Sequence, residues 1–109
     1  MIAPLDERGD WTLRPEPEVV NNQQRRQFEI PNGEHIARLT YRQRDGVLEL
    51  IHAEVPRVLE GQGFAKRLTV AALEYAATQS LLVKPTCPFV QSFLRRHPEY
   101  EKLTGRRDD

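Results

Sequence analysis

Val55-Pro56-Arg57-Val58-Leu59-Glu60-Gly61-Gln62-Gly63-Phe64-Ala65-Lys66-Arg67-Leu68 reads as the end of a β-strand, a tight glycine turn and the opening of an amphipathic helix. Gly61 and Gly63 permit positive φ and let a ligand approach the backbone with no Cβ in the way. No Ser, Thr, Asp or Asn stands at the N-cap position, so the first amides of the helix lack a side-chain partner. Taken alone, the turn has two readings. It is a plain tight turn with water on its amides, or it is a cradle for a phosphate, an arrangement that the helix dipole favours. In the second reading Arg57, Lys66 and Arg67 add positive charge around the anion.

Working outward, Phe64, Leu68, Ala71, Ala72, Tyr75 and Ala76 recur at three- and four-residue steps, which predicts a helix over 63–78 with a buried stripe. Upstream, Phe28-Glu29-Ile30 predicts a short strand stopped by Pro31-Asn32-Gly33. Residues 36–42 alternate, with Ile36, Arg38, Thr40 and Arg42 on one face and Ala37, Leu39 and Tyr41 on the other. Asp45-Gly46 turns the chain into a third strand over 47–55. Regular alternation there puts Leu48, Leu50, His52 and Glu54 on one face, and Glu49, Ile51, Ala53 and Val55 on the opposite one. Downstream, 81–84 predicts a fourth strand ended by Pro85, and 89–96 a second helix stopped by His97-Pro98. The expected fold is α+β in the order β-β-β-α-β-α. Its strands are antiparallel except for a parallel pair formed by the third and fourth across the helical crossover.

The 109 residues make one small domain, and 39% hydrophobic content supplies a thin core. Sixteen acidic residues balance 16 basic ones. That argues against non-specific nucleic-acid binding, which draws on a strongly positive face. Arg25-Arg26, Arg95-Arg96 and Arg106-Arg107 read as solvated surface. A single cysteine excludes an internal disulfide and a cysteine-rich zinc site, and no histidine–carboxylate spacing suits a metal. There is no membrane-length apolar run, and the first residues lack the basic and apolar regions of a signal peptide. The expectation is a cytoplasmic protein, a monomer or weak homodimer, with no nucleic-acid or membrane partner. Residues 1–18, with Pro4, Pro15 and Pro17 among charges, read as a flexible or surface-packed arm whose Trp11 docks on the domain or on a partner. Residues 19–109 form the domain.

Cys87 lies just past a strand end, in Pro85-Thr86-Cys87-Pro88-Phe89. It is either a small buried hydrophobe or a nucleophilic thiol. His52, within the third strand, is either structural or a general base. Its merit is position: the third and fourth strands are expected neighbours, and His52 and Cys87 sit near their C-terminal ends. His35 and His97 read as surface residues. An anion cradle and a lone thiol, each following a strand, together suggest a site for a phosphorylated thiol cofactor.

Together these residues resemble the GNAT superfamily of acetyl-CoA-dependent N-acetyltransferases, in particular its small single-cysteine branch. The matching segments are Phe28-Glu29-Ile30, Leu48-Glu49-Leu50-Ile51-His52-Ala53-Glu54-Val55-Pro56, Gly61-Gln62-Gly63-Phe64-Ala65-Lys66-Arg67-Leu68, Ala71-Ala72-Leu73, Pro85-Thr86-Cys87-Pro88-Phe89 and Phe93-Leu94-Arg95-Arg96-His97-Pro98-Glu99-Tyr100. They span residues 19–103 in the right order. The resemblance implies a V-shaped gap between the third and fourth strands holding the pantetheine arm of acetyl-CoA or coenzyme A. Backbone groups around Val55 would pair with that arm, the amides of Gly61, Gln62, Gly63, Phe64 and Ala65 would hold the pyrophosphate, and Cys87 and Phe89 would lie near the thiol. It also implies acetyl transfer to an unidentified amine, of a small molecule or a protein. His52 would take the amine proton, directly or through a water, and an N–H near Val55 would donate to the developing oxyanion. In a two-step version Cys87 is acetylated first.

The chain departs from the family pattern in three respects. Val58 stands where full-size enzymes carry Arg or Gln. Glu60 stands where relatives often carry a basic residue, and its carboxylate repels phosphate. The N-terminal helices that usually build an acceptor site are missing. These departures support an alternative, a non-catalytic CoA-binding or protein-interaction module on a GNAT scaffold.

Overall fold

A computed structural model of the chain describes residues 17–105. The expected arm over 1–18, Trp11 included, lies outside the described residues except for Pro17 and Glu18. Five strands form one sheet in sequential order: β1 (Val20–Asn22), β2 (Gln27–Asn32), β3 (His35–Arg44), β4 (Val47–Glu54) and β5 (Leu82–Pro85). Helix α1 (Phe64–Thr78) connects β4 to β5, and α2 (Pro88–Arg96) follows, with short 3-10 turns at Arg57–Leu59 and Pro98–Thr104. The β1–β4 pairs are antiparallel and β4–β5 is parallel. This is the α+β architecture expected, with one addition. Val20–Asn22 forms a three-residue edge strand that no periodicity announces; pairing with β2 and a 2.7 Å hydrogen bond from the Tyr41 hydroxyl to Asn21 Oδ1 hold it.

The core lies between the sheet and the two helices. Phe28, Ile30, Ala37, Leu39, Tyr41, Leu48, Leu50 and Val83 of the strands meet Phe64, Leu68, Ala72, Leu73, Ala76, Val90 and Phe93 of the helices. Burying each Val, Leu, Ile or Phe side chain of this set stabilises the fold by about 1.5–3 kcal/mol. The α1 stripe is rotated slightly from the expected one. Thr69 and Leu73 are fully buried, whereas Ala71 and Tyr75 sit half-buried on its flank. Thr69 tolerates the core because its hydroxyl donates to the Ala65 carbonyl at 2.9 Å. His97 also departs from expectation. It is half-buried, its ring stacked on Phe93 at 4.2 Å between centroids.

The regular alternation expected along β4 is broken. Thr40 pairs with His52 but its neighbour Tyr41 pairs with Leu50, so Ile51 is left without a partner, a β-bulge. Leu48 and Leu50 face the core. After the extra residue the phase reverses, Ala53 pairs with buried Leu39, and Ala53 and Val55 pack on the core. His52 and Glu54 therefore do not share a face with Leu48 and Leu50. They stand on the open face of the sheet, opposite Thr40 and Arg38.

Candidate functional site

The bulge decides where β4 and β5 part. Their parallel pairing runs from Val47↔Leu82 to Leu50↔Pro85. It ends with the Cys87 N–H donating to the Leu50 carbonyl at 2.8 Å. Two residues later the His52 carbonyl points the other way, toward β3, where it accepts a 3.2 Å hydrogen bond from Thr40 Oγ1. Without a bulge, carbonyls two residues apart would point to the same side. With Ile51 inserted, the backbone groups of Ala53 and Val55 point to the side that β5 has left. The strands thus fork beyond Leu50, with untied β4 backbone along one arm and Cys87 with the start of α2 on the other.

The glycine turn stands downstream of that arm. Gly61 (φ 85°) and Gly63 (φ 78°) are both left-handed, and a Cβ built on either meets nothing within 4 Å. The backbone is therefore open to an incoming group. Gly63 is the N-cap of α1 and supplies no side-chain cap, and the first turn of the helix carries no acidic residue. Glu60, Gly61, Gln62 and Gly63 are exposed, Phe64 is buried and Ala65 half-buried. Of the three cations around the turn, Arg57 and Lys66 are exposed. Arg67 is engaged, its guanidinium donating to the Pro17 carbonyl and lying 5.6 Å from the Phe64 ring centroid.

Cys87 is 2% exposed and belongs to the core cluster. It is the N-cap of α2, with Pro88 next and the half-buried Phe89 after it. Its carbonyl accepts from the Gln91 N–H at 3.0 Å, and the Gln91 side chain donates to the Pro85 carbonyl at 2.9 Å, so the β5–α2 corner is fixed at both ends. His52, its side chain 61% exposed, is on the open face of the sheet. The fork thus has its thiol on the core side and its imidazole on the open side. The structure brings His52 to Glu54, at 3.8 Å from Nε2 to Oε2, and not to Cys87. Glu54 in turn pairs with Arg38 at 2.9 Å. Among the described residues no group of three or more potential metal ligands is gathered, and no helix is long and apolar enough to cross a membrane. Two cavities lie away from the fork. One of about 730 Å³ runs between the outer edge of β5, α2 and the last 3-10 turn; one of about 420 Å³ lies against α1 beside Val19.

The corner before Cys87 is also tied across the sheet. Thr86 Oγ1 donates to Glu49 Oε2 at 2.6 Å, which, with Lys84, Arg42 and Arg44 nearby, lowers the Glu49 carboxyl from its ordinary value of 4.5. A carboxyl lowered on folding stabilises the native state above 4.5, and that contribution is lost as the pH falls through its native value. Comparing Glu49→Gln with the parent by urea unfolding across acid pH is expected to show a stability difference that is full above pH 4.5 and shrinks below it. A difference independent of pH would remove the carboxylate as its cause.

The profile of the GCN5-related N-acetyl-transferase family matches residues 27–103, and the chain belongs to that family. Over 83 residues it is 34% identical to protein NATD1 of Mus musculus, covering 73% of this chain and 76% of that one. Against NATD1 of Homo sapiens the identity is 32% over 83 residues, covering 73% and 74%. The NMR solution structure of a GCN5-like protein from Staphylococcus aureus shares the fold, with a TM-score of 0.63 at 27% identity over 79% of this chain and 85% of that one.

Proposed function

We propose that residues 19–109 are a minimal acetyltransferase domain that moves an acetyl group from acetyl-CoA to an amine. The observation that carries this is the fork itself. Untied β4 backbone at Ala53 and Val55, beyond the point where β5 parts from it, is followed, past the internally paired 3-10 turn at Arg57–Leu59, by a helix start with open, uncapped amides. Such groups need a partner: the pantetheine amides of acetyl-CoA offer both donors and acceptors to the strand, and its pyrophosphate offers acceptors to the helix N–H groups. In this reading Val55 pairs with the pantetheine arm, Gly61, Gln62, Gly63, Phe64 and Ala65 give their amides to the pyrophosphate, and Cys87 and Phe89 border the thioester. Acetyl-CoA supplies an activated acyl carbon and a thiolate leaving group.

The chain's own residues supply the rest. A protonated amine, with a reference pKa of about 10.4, must lose a proton to attack. His52, exposed on the open face one residue past the bulge, takes it, and the proton ends on the departing thiolate. Attack by the amine nitrogen on the acyl carbon forms the C–N bond as the C–S bond breaks. Cys87, nearly closed to solvent on the core side, fits direct transfer with the thiol packed beside the reacting atoms better than a free nucleophile.

Calorimetric titration with acetyl-CoA, followed by release of free CoA thiol in the presence of n-propylamine, spermidine and a tetralysine peptide, tests the proposal. Saturable one-to-one binding with turnover is expected. His52→Ala is expected to lower turnover by roughly 10²–10⁴-fold, the usual worth of a general base, with binding intact. Cys87→Ser is expected to retain most turnover; its abolition with binding preserved would establish the covalent route instead. Binding without turnover on any amine would leave the chain a CoA-binding module.

A further inference from the structure

The open face of the sheet carries a second feature at the fork. Arg38, Thr40, His52 and Glu54 occupy two directly opposed pairs, Arg38↔Glu54 and Thr40↔His52, immediately beyond the bulge. Glu54 uses its two oxygens separately. Oε1 lies 2.9 Å from Arg38 Nε, an ion pair in which that buried N–H makes no hydrogen bond, and Oε2 faces His52 Nε2 at 3.8 Å. Thr40 Oγ1 fixes the His52 carbonyl at 3.2 Å, so the backbone carrying the ring is tied as well.

We infer that Glu54 and Arg38 are positioning residues that orient His52 for proton transfer; this rests on the acetyl-transfer reading above. The separation of 3.8 Å is longer than a hydrogen bond, so Glu54 faces the ring as a nearby charge and not as a bonded partner. A carboxylate on the Nε2 side favours the tautomer with its proton on Nε2. That leaves Nδ1 as the lone-pair nitrogen that accepts the amine proton. Arg38 lies against Glu54 from across the strand pair, with the other carboxylate oxygen, Oε2, turned to the ring. Without the bulge, regular alternation would turn His52 and Glu54 to the other face, away from Arg38 and Thr40. The register that β4 holds beyond the bulge, and not Ile51 itself, therefore sets this arrangement.

A double-mutant cycle tests it, read as CoA release with n-propylamine and as acetyl-CoA binding by calorimetry. Glu54→Gln, which keeps shape and removes charge, is expected to lower kcat roughly tenfold, as partners that orient a functional histidine do, with the KM for acetyl-CoA unchanged. Arg38→Gln is expected to lower kcat in the same direction by less. In a His52→Ala background neither substitution should lower kcat further, because the group they orient is gone. Equal fractional losses in both backgrounds, or a loss confined to KM, would overturn the inference while leaving the acetyl-transfer reading standing. A parent protein that binds acetyl-CoA but turns over no amine would overturn the reading, and the inference with it. Thermal midpoints within a few degrees of the parent exclude misfolding as the cause, and should Glu54→Gln fail to fold, Arg38→Gln completes the cycle on its own.

Discussion

Gly63→Val is expected to abolish measurable acetyl-CoA binding, whereas Gly33→Val is expected to leave it intact at a similar cost in stability. Both glycines have positive φ, 78° and 64°, and a Cβ on either meets no neighbour within 4 Å. The penalty in the free protein is therefore torsional, about 1–2 kcal/mol for forcing an L side chain into the left-handed region. In a domain of this size each kcal/mol lowers the thermal midpoint by about 4–8 °C. A small domain has roughly 5–15 kcal/mol in hand, so both variants stay folded. They differ in what occupies the open space. Gly33 closes the β2–β3 hairpin, where only solvent approaches. Gly63 caps α1, and its branched side chain would stand where the proposed pyrophosphate meets the helix amides. Each charge-assisted hydrogen bond lost there is worth roughly 1.5–3 kcal/mol, about tenfold or more in affinity. Parallel calorimetry and thermal melts separate the two effects. Retained binding by Gly63→Val would place the phosphate elsewhere.

Most of the fold is legible in the sequence because its signals are local and redundant. The alternation of 36–42, the Asp45-Gly46 turn and the three- and four-residue recurrence from Phe64 each need only a short window, and each matches an element of the structure. The parallel β4–β5 pair follows from one helical crossover. Two kinds of feature escape. β1 is held by neighbours more than by its own Val20-Asn21-Asn22, since Tyr41 and β2 supply its partners from elsewhere in the chain. The bulge leaves a trace that regular alternation hides. Leu48 and Leu50 stand at even positions and Ala53 and Val55 at odd ones, a phase reversal of the kind an inserted residue produces, but Val47 and Ile51 are apolar at odd positions too and blur it. Missing that slip put His52 on the wrong face. With it went Arg38 and Glu54, whose roles depend on which side chains a cross-strand register opposes. Helix α1 shows the same limit: the period gives a stripe, but whether Ala71 or Thr69 lies at its centre is set by where the sheet presses on it.

Deleting Ile51 is expected to leave the protein folded and remove acetyl-CoA binding. Ile51 is the one β4 residue between Leu50 and His52 and has no partner on β3. Its removal gives uninterrupted alternation: Leu50 stays opposite Tyr41, His52 opposite Thr40 and Ala53 opposite Leu39, with every buried side chain still facing the core. A one-residue deletion elsewhere in a strand flips all following side chains to the wrong face. This one corrects a flip already present. The expected change in stability is therefore small, within about 1 kcal/mol of the parent by urea unfolding once the partly buried Ile51 side chain is set against the regained ladder geometry. What the bulge contributes is a bend and added twist, and these let β4 diverge from β5 beyond Leu50. A straightened β4 continues beside the Pro85–Cys87 corner, and the unpaired groups of Ala53 and Val55 lose the gap they face. Deleting Glu49 is the matching control. It removes a residue from the regular part of β4, throws Leu48 out of phase with Leu50, and is expected to unfold the domain. A deletion of Ile51 that folds and still binds acetyl-CoA would detach the fork from the bulge. One that unfolds like the Glu49 deletion would show that the bulge is needed for the fold itself and not for the site alone.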